Sequence, residues 1–168
     1  DGRGWNRPSF DCLRNGTDAS LPLMERVIVD GYNVIHAWVP LKRLLDVSLE
    51  AAREKLVERL AVYAMVNGAD VTVVFDAHHS AARTNSEERV EGVPVIFTRK
   101  GHSADHVIER IAYAAREAGE VITVATSDRT QRDLVRGMGG AVIDALELER
   151  RVVEAEQEMG RRVDRYAR

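Results

Sequence analysis

Arg26-Val27-Ile28-Val29-Asp30-Gly31-Tyr32-Asn33 is the stretch that decides the fold. Val27-Ile28-Val29 is a short, uninterrupted apolar run, as expected of a strand covered on both faces. It closes on an aspartate, and a glycine follows at once. The same design recurs down the chain. Val71-Thr72-Val73-Val74-Phe75 closes on Asp76, and Val121-Ile122-Thr123-Val124-Ala125 leads through Thr126-Ser127 to Asp128. Val93-Pro94-Val95-Ile96-Phe97 reads as the third strand, with Pro94 at its beginning or on an edge. Ala141-Val142-Ile143 reads as a short last one.

Helical periodicity fills the gaps. Ser48 is placed to cap a helix over 49–66 whose Leu49, Ala52, Leu56 and Leu60 share a face, and Asn67-Gly68 ends it. Ser103 caps a second helix carrying Val107, Ile108, Ile111 and Ala115. Thr130 with Asp133 resembles a capping box for a helix ending near Gly137, and Asp144 with Glu147 opens a charged helix that runs from about 145 close to Arg168. Strands alternating with helices predict an α/β domain with a mostly parallel sheet, helices on both faces.

The 168 residues suit one domain, expected over 25–168, and the aperiodic residues 1–24 read as a flexible arm. With 45% apolar and 30% charged residues, the chain is neither collagen-like, nor disordered throughout, nor disulfide-rich. A net charge of -3, from 24 basic and 27 acidic residues, gives no global basic excess, yet binding depends on where charges sit. Cys12 is the single cysteine, which excludes an internal disulfide and a cysteine-rich zinc site. No apolar run approaches the roughly 20 residues of a membrane span, and no secretory pattern precedes the first strand. A cytoplasmic chain with no membrane contact is expected, with an organellar stroma or matrix as the alternative. That discounts the Asn15-Gly16-Thr17 sequon. A monomer or weak homo-oligomer is expected.

In an open parallel sheet, ligands gather beyond the carboxyl ends of the strands. Asp30, Asp76 and Asp128 stand at or within three residues of such ends, and Asp105 opens the helix after the third strand. Any one of them, taken singly, is an ordinary turn or cap residue. Together they form a carboxylate cluster that repels itself unless a cation compensates it, and Mg²⁺ or Mn²⁺ prefers oxygen ligands. Glu109 lies one turn beyond Asp105 and either reaches the cleft or pairs on the surface. Asn33 offers an amide to a water, a carboxylate or a phosphate oxygen. Ser127 is a donor without a base partner, which disfavours a serine hydrolase.

His78 is the best placed of the histidines, ahead of His36, His79, His102 and His106, whose spacing matches no zinc pattern. Tyr32 is a candidate for base stacking, with packing as the alternative. Arg99, Lys100 and Arg129, along with Arg83 and Arg89, are candidates for contact with an RNA backbone. The terminal helix balances its arginines with acids and reads as a solvated packing helix, with RNA or ribosome contact as the alternative.

Val29-Asp30-Gly31-Tyr32-Asn33, Val74-Phe75-Asp76-Ala77-His78, Ser103-Ala104-Asp105 and Ala125-Thr126-Ser127-Asp128, in that order, resemble the YacP-like branch of the NYN domains within the PIN-like nuclease superfamily. The likeness extends over about 26–168. It implies a three-layer α/β/α fold with a five-stranded sheet in the order 3-2-1-4-5. It also implies a metal-dependent ribonuclease site made of Asp30, Asp76, Asp105 and Asp128, with Asn33 accessory. Members of that branch resemble ribosome-associated endonucleases that cleave mRNA during translation, so the resemblance implies mRNA and the ribosome as partners. In the implied mechanism Asp30 and Asp128 hold Mg²⁺ or Mn²⁺, Asp76 and Asp105 complete the pocket, and cleavage leaves a 5′-phosphate and a 3′-hydroxyl.

Two alternatives stand beside it. One is a non-cleaving RNA- or ribosome-binding adaptor. The other is a metal-dependent phosphatase, although Tyr32 occupies the position where the haloacid-dehalogenase-type pattern has its second aspartate. No Gly-x-x-x-x-Gly-Lys run is present, which disfavours a P-loop.

Overall fold

β1 (Arg26–Asp30) lies inside the sheet because its apolar residues are buried on both faces, as the uninterrupted run requires. The computed structural model describes residues 24–76 and 85–168. After β1 come α1 (Gly31–Ala37), α2 (Val39–Leu45), α3 (Leu49–Asn67), β2 (Asp70–Phe75), β3 (Ser86–Val90) and β4 (Val93–Phe97). The chain continues through α4 (Ala104–Glu117), β5 (Ile122–Ala125), α5 (Arg129–Gly137), β6 (Ala141–Ile143) and α6 (Ala145–Tyr166). The expected arm falls almost wholly outside the described residues, as do Cys12, His78, His79 and Arg83.

The sheet order is β3-β4-β2-β1-β5-β6. The five strands read from the sequence run parallel in the expected 3-2-1-4-5 order. The expectation of five strands falls one short, because β3 pairs antiparallel with β4 at the edge. Ser86-Glu87-Glu88-Arg89-Val90 carries no apolar alternation, so periodicity could not reveal it. Its hairpin is made by Glu91 and Gly92, both at positive φ (52° and 82°), the backbone that closes two-residue turns. A charged edge strand also discourages pairing with other sheets.

Alternation along the strands divides the core in two. Val27, Val29, Val73, Phe75 and Val95 face one side, packing with α1, α2, α3 and α6. Ile28, Val74 and Val124 face the other, against Ile108 and Ala112 of α4 and Val135 of α5. Three layers result.

Ser48 accepts the Ala51 N–H, and Gly68 at φ 60° ends α3. Sequence periodicity did not show α1 and α2. They are two short helices either side of Trp38, which is fully buried and donates its indole N–H to the Ala145 carbonyl at 2.7 Å. That bond fixes the start of α6, where Asp144 accepts the Glu147 N–H as expected. The α5 cap corrects the sequence reading: Asp128, not Thr130, accepts the first-turn N–H, that of Gln131 at 2.9 Å. Arginines of α6 pair with its own acids, Arg150 and Arg151 with Glu147, and Arg161, Arg162 and Arg165 with Glu158. No helix among the described residues is long and apolar enough to cross a membrane.

Candidate active site at the strand ends

In the sheet register Val29 is level with Ala125, so Asp30 and Thr126 are the next residues along adjacent strands. The contact follows. Thr126 Oγ1 donates to Asp30 Oδ2 at 3.3 Å, with Thr126 fully buried and Asp30 only 9% exposed. The same hydroxyl oxygen accepts the Asp128 N–H at 3.1 Å. Gly31 lets the chain turn closely here, since a Cβ on it would lie 2.3 Å from a ring carbon of Phe75.

Asp30 occupies the N-cap position of α1, and its carboxylate meets the Thr126 hydroxyl and the first-turn Asn33 N–H. Its pKa is pushed up to about 6, mainly by burial and then by the negative charge of Asp105, with Asp128 adding to the rise. The Thr126 hydroxyl and the Asn33 backbone N–H work the other way. Asp105, on the first turn of α4, is shifted upward too, by partial loss of solvent and then by Asp128 and Asp76. Asp30 thus feels Asp105 and Asp128, and Asp105 feels Asp128 and Asp76, although Asp30 and Asp128 stand 98 residues apart in sequence (30 to 128).

Gln131 joins two of them. Its backbone N–H caps onto Asp128, and its side-chain Nε2 donates to Asp105 Oδ1 at 2.7 Å. Gln131 is 5% exposed, and its Oε1 has no hydrogen-bond partner. Neither Thr126 nor Gln131 had a role in the sequence reading. The signal for Gln131 was present, because Asp128-Arg129-Thr130-Gln131 has the capping-box spacing.

The accessory residues divide. Asn33 uses its side-chain oxygen to accept the Ser127 N–H at 2.8 Å, and Ser127 Oγ accepts the Ala145 N–H at 3.2 Å. These bonds tie the β1 and β5 ends to the start of α6. Glu109 lines a shallow groove with His106, Arg110, Tyr113 and Met138, and it is not among the charges that shift Asp30 or Asp105. Arg99 is half-buried, its backbone N–H held by Asn85 Oδ1 at 2.8 Å, while Lys100 and Arg129 are exposed. Tyr32 is half-buried, its ring 5.1 Å from that of Phe75. His78 lies outside the described residues.

The donor set suits a hard cation in chemistry and charge. The candidate donors are carboxylate oxygens, those of Asp30 and Asp105 raised by burial first and by neighbouring carboxylates second, and Asp30, Asp105 and Asp128 pair with no Lys or Arg among the described residues. Among those residues no group of three or more His, Cys, Asp or Glu side chains is placed to hold a metal ion.

The YacP-like NYN domain model matches residues 27–168. The chain belongs to the YacP-like NYN domain family. YacP of Bacillus subtilis (strain 168) is 41% identical over 142 residues, 83% of this chain and 82% of that one. The crystal structure of Rae1 (YacP) from Bacillus subtilis superposes with a TM-score of 0.73 at 39% identity, covering 85% of this chain and 82% of the other. A point mutant of Rae1 superposes with a TM-score of 0.72 at 40% identity, covering 86% and 84%. Membership makes this YacP-like domain nuclease-like.

Proposed function

We propose that the protein is a divalent-metal-dependent endoribonuclease that cleaves mRNA in association with the ribosome. The observation that carries this reading is the joining of Asp30 to Asp128 through Thr126 and of Asp128 to Asp105 through Gln131, with burial and then neighbouring carboxylates raising Asp30 and Asp105, a pattern that a bound cation would relieve. Asp30 and Asp128 would hold Mg²⁺ or Mn²⁺, and Asp105 and Asp76 would complete the pocket. Such an ion lowers the pKa of a bound water and stabilises charge on the scissile phosphate. Thr126 orients Asp30, and Gln131 orients Asp105 against Asp128. In-line displacement at phosphorus leaves a 5′-phosphate and a 3′-hydroxyl, with no covalent enzyme intermediate.

Family membership supports the nuclease class, and the resemblance read from the sequence motifs supports RNA, the ribosome and a cytoplasmic setting. The test is incubation of the protein with matched single-stranded RNA, matched DNA and a small phosphate ester, with and without Mn²⁺. Internal cleavage of RNA only with metal is expected. Hydrolysis of the ester alone would move the assignment to a phosphatase. Ribosome and RNA binding without turnover, with metal present, would move it to an adaptor.

A further inference from the structure

Arg53 stands on α3, its charge paired with no acid among the described residues. Its Nη1 donates to Tyr32 Oη at 3.0 Å, and its guanidinium lies 5.4 Å from the centre of the Phe97 ring. Phe97 stacks on Phe75 at 5.7 Å and 25°, and Phe75 meets Tyr32 at 5.1 Å, so three rings form the seat. Arg59, farther along the same helix, makes the contrast. It also lies over a ring, that of Trp38 at 4.9 Å, but Glu156 neutralises it with bonds as short as 2.8 Å. A guanidinium offers five N–H donors, and Arg53 spends one on a neutral hydroxyl.

We propose that Arg53 binds a backbone phosphate of the RNA strand, a site preformed by Tyr32 and Phe97 at the strand ends beside the acidic cleft. The proposal rests on the nuclease reading above and adds a strand-holding residue to it. Tyr32 is two residues beyond Asp30, and Phe75 immediately precedes Asp76. By strand alternation Phe75 faces the α3 side of the sheet, whereas Val74, like the Asp76 that follows Phe75, belongs to the α4 side. Arg53 and the acids therefore flank the ends of β1 and β2 from opposite sides. A phosphate on Arg53 is a neighbour of the scissile one along the same strand, and the strand crosses the sheet end between them. The aromatic seat holds the planar fork in place before the ligand arrives, which limits the ordering lost on binding. Tyr32 is then a support for the arginine, not a base-stacking platform.

The test is fluorescence anisotropy of a labelled single-stranded RNA, in EDTA so that nothing is cleaved, over a series of KCl concentrations. Wild type, Arg53→Gln and Arg53→Lys are compared, each checked for thermal unfolding. Arg53→Gln is expected to weaken binding at low salt about tenfold or more. It should also flatten the salt dependence by roughly 0.7 in log–log slope, the value of one single-strand phosphate contact. Matched DNA should lose by the same factor, since a phosphate contact does not read the sugar. Arg53→Lys keeps the charge without the fork and should restore the slope but only part of the affinity. In Mn²⁺ assays Arg53→Gln should raise KM and leave kcat within about twofold. Unchanged affinity and slope in folded Arg53→Gln, with wild type cleaving RNA, overturns this proposal alone. A slope lost in Arg53→Lys as fully as in Arg53→Gln overturns it as well. Wild type that neither binds nor cleaves RNA overturns the nuclease reading together with it.

Discussion

Thr126 Oγ1 gives its proton to Asp30 Oδ2 and takes the Asp128 N–H on its oxygen, so one buried hydroxyl holds the ends of β1 and β5 in register at the site. Thr126→Val keeps the shape and removes both bonds. It should lower stability by about 1–2 kcal/mol. Metal-dependent cleavage should fall by about tenfold or more, as expected when a group that orients a metal-binding carboxylate is lost. Thr126→Ser should recover most of both. Chemical unfolding and single-turnover cleavage measure the two effects.

Burial, together with Asp105 and Asp128, pushes Asp30 up to about 6 from the ordinary 3.8, and this has a sign in stability. A folded-state pKa above the unfolded one means a contribution fully present below about pH 4 and lost as pH rises through about 6. Asp30→Asn removes that loss. In EDTA the variant should be more stable than wild type at pH 7.5, by up to about 3 kcal/mol, with the advantage shrinking towards pH 4. Added Mn²⁺ should stabilise wild type and leave the variant unmoved. Thermal melts across pH, with and without Mn²⁺, test both parts.

Gln131 holds Asp105 with its side chain and Asp128 with its backbone. Gln131→Leu keeps the helix cap but releases Asp105. The Mn²⁺ concentration needed for half-maximal thermal stabilisation should rise about tenfold, within the range seen when outer hydrogen bonds to metal ligands are removed. A melt in EDTA should change little by comparison. Equal Mn²⁺ requirements for variant and wild type would remove Gln131 from the site.

Gly31 has no room for a side chain, with Phe75 2.3 Å from where a Cβ would sit. Gly31→Ala should destabilise by about 1–3 kcal/mol through overpacking. Phe75→Leu, harmful alone, should relieve part of that in the double variant. A double-mutant cycle on unfolding free energies measures the coupling.

The parallel sheet was legible because buried strands are apolar on both faces, and Val27-Ile28-Val29 and Val71–Phe75 leave little else to read. β3 was not, since Ser86–Val90 is polar and is held by backbone pairing and a turn. The four acids were visible as residues that end strands or open a helix. What holds them was hidden. Thr126 acts through register between β1 and β5, and Gln131 through a bond between α4 and α5, neither of which has a signature along one strand or helix. The α5 cap was misplaced by two residues because Thr130 is also a good cap, and only the chain path shows Asp128 taking that position. Arg53 looks like any helix-surface arginine until Tyr32 and Phe97 are seen to converge on it.

The central claim is that the clustered acids serve a metal that cleaves RNA. It is tested most directly by incubating a defined single-stranded RNA with wild type, Asp30→Asn and Asp105→Asn, with and without Mn²⁺, and identifying the product ends. The account predicts internal cuts by wild type only with Mn²⁺, 5′-phosphate and 3′-hydroxyl ends, and a loss of at least a hundredfold in both folded variants. Cleavage by wild type in EDTA, or by Asp30→Asn at the wild-type rate, would contradict it.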